Sequence, residues 1–163
     1  MEKTIKTLTS VIIILLIPGL VFAWQGEVVH ISDGDTIKVI HNGQRIKIRL
    51  YGIDTPEKTQ WYGQNAKEFL SGQILGETVE VEEIGKDRYG RTVALISAGG
   101  QNINRLMVEA GYAWVYDRYC KQRFCRIWKE VEKDAREAGK GLWKNKDVIP
   151  PWQYRRTKNG WSR

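Results

Sequence analysis

Four stretches of this 163-residue chain combine residue types and spacing that could do chemistry: Asp33-Gly34-Asp35-Thr36, Arg49, Asp54-Thr55-Pro56-Glu57 and Asp87-Arg88-Tyr89-Gly90-Arg91. Their carboxylates suit a hard cation, because oxygen-only ligands favour calcium or magnesium over zinc or copper. Their arginines suit a phosphodiester. A guanidinium offers forked donors that match two phosphate oxygens, and its charge offsets that of a five-coordinate transition state. Glu57 follows Asp54 by three residues, stiffened by Pro56, where it could orient or deprotonate a water for attack on phosphorus. Tyr89 can donate to a phosphate or stack on a sugar or base. The chain has no serine or cysteine nucleophile motif and no glycine-rich phosphate loop, and His30 and His41 have no partner at ligand spacing. Direct attack by water on a nucleic-acid backbone is the chemistry such a set supports. Each piece alone has a plainer reading: Asp-Gly-Asp as a turn, Glu57 as an exposed acid, Tyr89 as a turn tyrosine on a barrel wall.

These residues need elements to carry them. Gln25 to Ser32 and Thr36 to His41 read as strands, and Asn42-Gly43 is a two-residue hairpin signal before a third. Arg45-Ile46-Lys47-Ile48-Arg49-Leu50 alternates cations with aliphatics, so one face packs a core while the other presents three positive charges. Thr78 to Ile84 and Thr92 to Ser97 supply two more strands, joined by the Asp87–Arg91 turn. A helix is predicted from about Gly63 to Leu75, with Tyr62, Ala66, Phe69, Leu70 and Ile74 at helical spacing. A second is marked by Ile103, Leu106, Met107 and Ala110 between Asn102 and Gly111. Ile127, Val131, Ala135 and Ala138 mark a third, with Glu132 and Arg136 spaced for an i,i+4 pair. The expected class is α+β, a five-stranded OB-fold β-barrel with about three α-helices, an architecture that binds oligonucleotides on one face.

The ends of the chain carry different information. Lys3 and Lys6 precede the apolar run Val11–Ile17, then Pro18-Gly19 and Val21-Phe22-Ala23, the pattern of a secretory signal peptide over residues 1–23. The run is short of the ~20 residues of a membrane span, which makes an uncleaved anchor the lesser alternative. Formal net charge is +7; loss of Glu2, Lys3 and Lys6 would leave +6, a balance that suits a polyanionic partner. Outside the reducing cytoplasm Cys120 and Cys125 are expected to form a disulfide, with free thiols as the alternative and too few ligands for zinc. The domain is expected over 24–145, followed by a basic tail at 146–163. Trp152, Tyr154 and Trp161 of that tail could grip single-stranded nucleic acid by stacking, or the tail could dock or stay disordered.

Across residues 25–143 the chain resembles the staphylococcal nuclease (thermonuclease) family. Asp33-Gly-Asp-Thr36, Arg49 with Asp54-Thr-Pro-Glu57, and Asp87-Arg-Tyr-Gly-Arg91 stand in that family's order and spacing. The resemblance implies a calcium-dependent hydrolysis of DNA and RNA leaving 3′-phosphate ends. It implies that Asp35 and Asp54 hold Ca2+ through side chains and Thr55 through its carbonyl. It also implies that Glu57 is the general base, Arg49 and Arg91 are the phosphate clamps, and Tyr89 contacts a substrate phosphate. A further substrate tyrosine could be Tyr112, Tyr116 or Tyr119, and spacing does not choose between them. A secreted or periplasmic monomer, with no stable membrane association once the signal is removed, completes the expectation. Two readings compete with it: a non-catalytic OB module that binds nucleic acid, and a basic wall-binding protein.

Overall fold

The computed structural model describes residues 23–160. Ala23 opens the first strand; the rest of the expected signal segment lies outside the described residues, as does Trp161. The first three strands, β1 (Ala23–Asp33), β2 (Thr36–His41) and β3 (Gln44–Leu50), form an antiparallel meander. Asn42 and Gly43 join β2 to β3 with φ of 49° and 75°, the doubly positive pair that a type I′ hairpin requires. After the two-residue β4 (Ile53–Asp54) comes helix α1 (Gly63–Ile74), then β5 (Thr78–Lys86) paired with β1 and β6 (Thr92–Ala98) paired with β5.

Closure comes from β6 running parallel to β3, with Ile48 opposite Thr92, Arg49 opposite Val93 and Leu50 opposite Ala94. Five strands thus close into the expected OB-type barrel, leaving no long open edge among the described residues. Its interior takes one face of each strand, including Val28, Ile37, Val39, Ile48, Val79, Val81 and Ile96, all fully buried. Ala66, Leu70 and Ile74 of α1 join the same core. The short β7 (Gln101–Asn102) continues β6, and α2 (Ile103–Glu109) follows with the Asn102 side chain accepting from Arg105 N–H as its cap. Buried Asn104 then stitches α2 to the barrel. It donates to the carbonyls of Tyr51 (3.0 Å) and Ala94 (3.1 Å) and accepts from Ile96 N–H at 2.9 Å.

The two-residue β8 (Trp114–Val115) pairs with β4, and α3 (Cys125–Glu137) follows it. Of Ile127, Val131, Ala135 and Ala138, the spacing that marked this helix, Ala135 is buried and Val131 packs on the core. The structure buries Cys125, Trp128, Glu132 and Ala135 and leaves Ile127 and Ala138 exposed. Two forces set this face. The Cys120–Cys125 disulfide fixes the first turn, and Glu132 is drawn inward to accept from Val115 N–H (3.2 Å) and from its expected partner Arg136. A carboxylate so partnered tolerates burial that it could not otherwise bear. A 3-10 turn (Gly141–Lys144) leads to a fourth helix beyond the three expected, α4 (Pro151–Gly160).

The basic tail therefore docks. Trp152 stacks on Tyr116, with ring centroids 5.1 Å apart and planes within 5°, and meets Trp114 edge-on at 6.4 Å. The Tyr154 hydroxyl donates to the Thr59 carbonyl at 3.0 Å. Of the alternatives for the tail, residues 151–157 follow the docked one, and Trp152 and Tyr154 are engaged by the domain itself.

Candidate active site

Strand register explains why Asp35 and Arg49 meet. Thr36 of β2 is opposite Arg49 of β3, and Leu50 N–H donates to the Asp35 carbonyl at 2.8 Å. The Arg49 guanidinium, one-fifth exposed, lies between two carboxylates: one terminal nitrogen donates to Asp35 Oδ1, and the other to Asp54 Oδ1 at 2.8 Å. Asp54 itself is held in β4 by pairing with Trp114 of β8. The other Asp35 oxygen accepts from Thr55 N–H and Thr55 Oγ1, both at 3.0 Å.

Gly34 owes its identity to this packing. A Cβ at that position would lie 2.8 Å from both Ala66 Cβ and Thr55 Oγ1, so only glycine lets the β1–β2 turn close onto α1 and the Thr55 loop. On the far side, Gly52 (φ +75°) packs against the disulfide, and Tyr51 Oη accepts from Lys121 N–H at 2.8 Å. The disulfide thus braces the turn that delivers Asp54.

The structure brings Glu57 to the same cluster through a residue that sequence reasoning missed. Arg155 of α4 donates to Asp54 Oδ2 at 2.7 Å and to Glu57 Oε1 at 2.6 Å. Asp35, Arg49, Asp54, Arg155 and Glu57 form one unbroken chain of ion pairs. Asp33 adjoins it, its Oδ1 accepting from Asp35 N–H at 3.2 Å. Four carboxylates face two guanidiniums, a surplus of negative charge in a largely dry setting. Burial, then the charge of Asp35, pushes the Asp33 carboxyl up to about 7. Burial also lifts Asp54 above the ordinary carboxylate range, against the pull of Arg155 and Arg49.

That donor set fits a hard divalent cation. Asp35 and Asp54 offer side-chain oxygens at almost zero exposure, and the surplus charge around them is of the right sign. Among the described residues no three or more His, Cys, Asp or Glu side chains form a cage. A cation there would need a main-chain oxygen and water or substrate oxygens beside the two aspartates, which hard cations accept.

Arg91 does not join the cluster. Its Nε donates to Asp87 Oδ2 at 2.6 Å, and Asp87 Oδ1 also accepts from the main-chain N–H groups of Tyr89 and Arg91. Tyr89 is two-thirds exposed, with the Arg88 and Arg91 guanidiniums 4.7 and 5.5 Å from its ring centre. Arg91 and Tyr89 line a groove with Arg45, Lys47 and Lys86, which carries Glu83 as its one acidic lining residue. Of the three tyrosines between α2 and α3, Tyr112 stacks on Phe69 of α1, whereas Tyr116 lies beside β4 through its N–H bond to the Gly52 carbonyl. Tyr119 meets Tyr116 edge-on at 5.0 Å and is half exposed.

Residues 47–145, more than half of the chain, match the family model described as staphylococcal nuclease homologue. The chain belongs to the staphylococcal nuclease family. It is 41% identical over 159 residues to the micrococcal nuclease of Shigella flexneri, covering 90% of this chain and 88% of that one. An uncharacterized endonuclease of Escherichia coli O157:H7 is 38% identical over 146 residues, covering 85% of this chain and 94% of the relative. Another, from Haemophilus influenzae, is 42% identical over 131 residues, covering 80% and 72%. Membership of that family makes the chain a hydrolytic nuclease.

Proposed function

We propose that the chain is an exported, monomeric endonuclease of low sequence specificity that hydrolyses phosphodiester bonds of DNA and RNA with calcium. The products are 3′-phosphate and 5′-hydroxyl ends. The observation that carries this reading is the Arg49 guanidinium held between two buried aspartates, with Glu57 joined to the second of them through Arg155.

Asp35 and Asp54 would hold the calcium ion through their side chains and Thr55 through its carbonyl. Bound there, the ion supplies positive charge against the negative charge that gathers on the phosphoryl oxygens. Arg49 presents five N–H donors, of which the two aspartates engage part, and the remainder can grip a phosphate in the forked geometry guanidinium favours. Glu57, 40% exposed, stays within reach of solvent and takes the proton of the attacking water. Arg91 is the second clamp, steadied by Asp87, and Tyr89 offers a hydroxyl or ring to the neighbouring nucleotide.

The groove of Arg45, Lys47, Lys86 and Arg91 supports a polyanionic substrate that extends past the scissile bond. Tyr119, half exposed, is better placed for a substrate contact than Tyr112 or Tyr116, whose rings are stacked on Phe69 and on Trp152. The disulfide supports an oxidising compartment, and among the described residues no helix is long and apolar enough to cross a membrane. Glu57→Gln tests the reading most specifically. Turnover should fall about 10²- to 10⁴-fold while the nucleic-acid dissociation constant stays nearly unchanged. An equal loss of binding would make Glu57 a recognition residue instead.

A further inference from the structure

We propose that Arg155 is the resident counter-cation of the carboxylate cluster, so that a divalent cation must displace it and metal loading opposes the docking of α4. The inference rests on the nuclease reading above and adds a residue that the reading itself does not require.

The geometry is specific. All four carboxylate oxygens of Asp35 and Asp54 accept hydrogen bonds. Asp35 is served by Arg49, Thr36 and Thr55, and Asp54 Oδ1 by Arg49 and, at 3.2 Å, by Arg155. Asp54 Oδ2 accepts from Arg155 at 2.7 Å. The same guanidinium takes Glu57 Oε1 at 2.6 Å, so it spans the metal-ligand aspartate and the base. Arg49 is anchored in a barrel strand, whereas Arg155 sits on α4, which packs through Trp152 on the smaller cluster of Trp114, Ala135, Leu142 and Trp143 and contributes nothing to the barrel core. A doubly charged ion on Asp54 would repel a guanidinium bonded to the same carboxylate, and the partner held outside the barrel yields.

Delivery of Arg155 follows from Trp152. The two are three residues apart on α4, hence on one face, and Trp152 is seated on Tyr116 and Trp114. Trp114 is the register partner of Asp54, so the helix is docked against the strand pair that carries the ligand. Gln60 of the Glu57 loop adds a bond to the Ile149 carbonyl at 2.5 Å just before the helix. Docked α4 therefore does two things: it offsets part of the site's negative charge when no metal is bound, and it closes over the loop that bears the base. By linkage, a cation that binds the undocked form better shifts the helix outward, and loosening the helix must tighten the cation by the same factor.

Calorimetric titration with calcium chloride at fixed ionic strength, on the full exported chain, decides the matter. Arg155→Gln and Trp152→Ala should each bind calcium about tenfold more tightly than wild type, and Arg156→Gln, which removes an equal charge from the exposed neighbour, should change affinity less than about twofold. Amide hydrogen exchange in residues 151–157 should quicken when calcium saturates the wild type. Unchanged or weaker calcium affinity in Arg155→Gln overturns the proposal, as does a gain in Arg156→Gln equal to that in Arg155→Gln, or slower exchange in α4 with calcium. A wild type that neither binds calcium nor cleaves would sink the nuclease reading itself. A wild type that does both, with Arg155→Gln unaltered, sinks the proposal alone.

Discussion

Asp87 shows how one carboxylate can organise a loop of cations. Burial works against its ionised form, yet the Arg91 side chain and the main-chain N–H groups of Arg91 and Tyr89 outweigh it and hold the carboxyl below its usual range. The sign follows directly. A depressed folded-state value gives stability that is present in full above the unfolded value of about 3.9, and that is lost as pH falls through the folded value. Asp87→Asn should therefore cost on the order of 1 kcal/mol near neutral pH and almost nothing in acid, so its urea midpoint should fall less than that of wild type as pH is lowered. Parallel pH profiles for the two proteins would contradict the assignment. Residue types and order made most of this site legible in the sequence: Asp35, Arg49, Asp54 and Glu57 are linked in space. Arg155 was not legible. It lies 101 positions from Asp54, in a tail with Arg156, Lys158 and Arg163 as equally plausible cations, and only the seating of Trp152 selects it.

At the scale of elements, close packing around Gly34 makes a sharp forecast. Gly34→Ala forces a methyl against Thr55 and Ala66, at a cost of about 1–3 kcal/mol from overpacking, and disturbs the loop that bonds Asp35. Gly72, in the interior of α1 with open space where a Cβ would go, behaves oppositely, and Gly72→Ala should stabilise by about 0.5–1 kcal/mol. Thermal denaturation of both variants checks the pair, and equal shifts would refute the packing argument. Strand alternation and turn chemistry predicted all five barrel strands to within a few residues, because one-sided burial forces a period of two. Helix α3 was harder. A buried carboxylate and a disulfide set its face, and neither registers in a count of apolar positions. Asn104 escaped notice for a related reason: a lone asparagine in a helix says nothing until two carbonyls and an amide need it.

For the molecule as a whole, the proposed function has the cationic groove beside Arg91 hold a polyanion that the acidic cluster at Asp54 would cut. Within an overall charge of +7, Arg45, Lys47, Lys86 and Arg91 line one groove, while Arg49 and Arg155 pair with the carboxylates of the cluster. Composition could announce the surplus but not its arrangement, which depends on β3 and β6 closing the barrel side by side. The most direct measurement is cleavage of single-stranded DNA and of RNA by the purified full chain in calcium, in magnesium and in chelator, with the fragment termini identified. Cleavage in calcium that chelator abolishes, with 3′-phosphate and 5′-hydroxyl ends on both polymers, is the predicted result. Undiminished cleavage in chelator, or none in calcium, would contradict it.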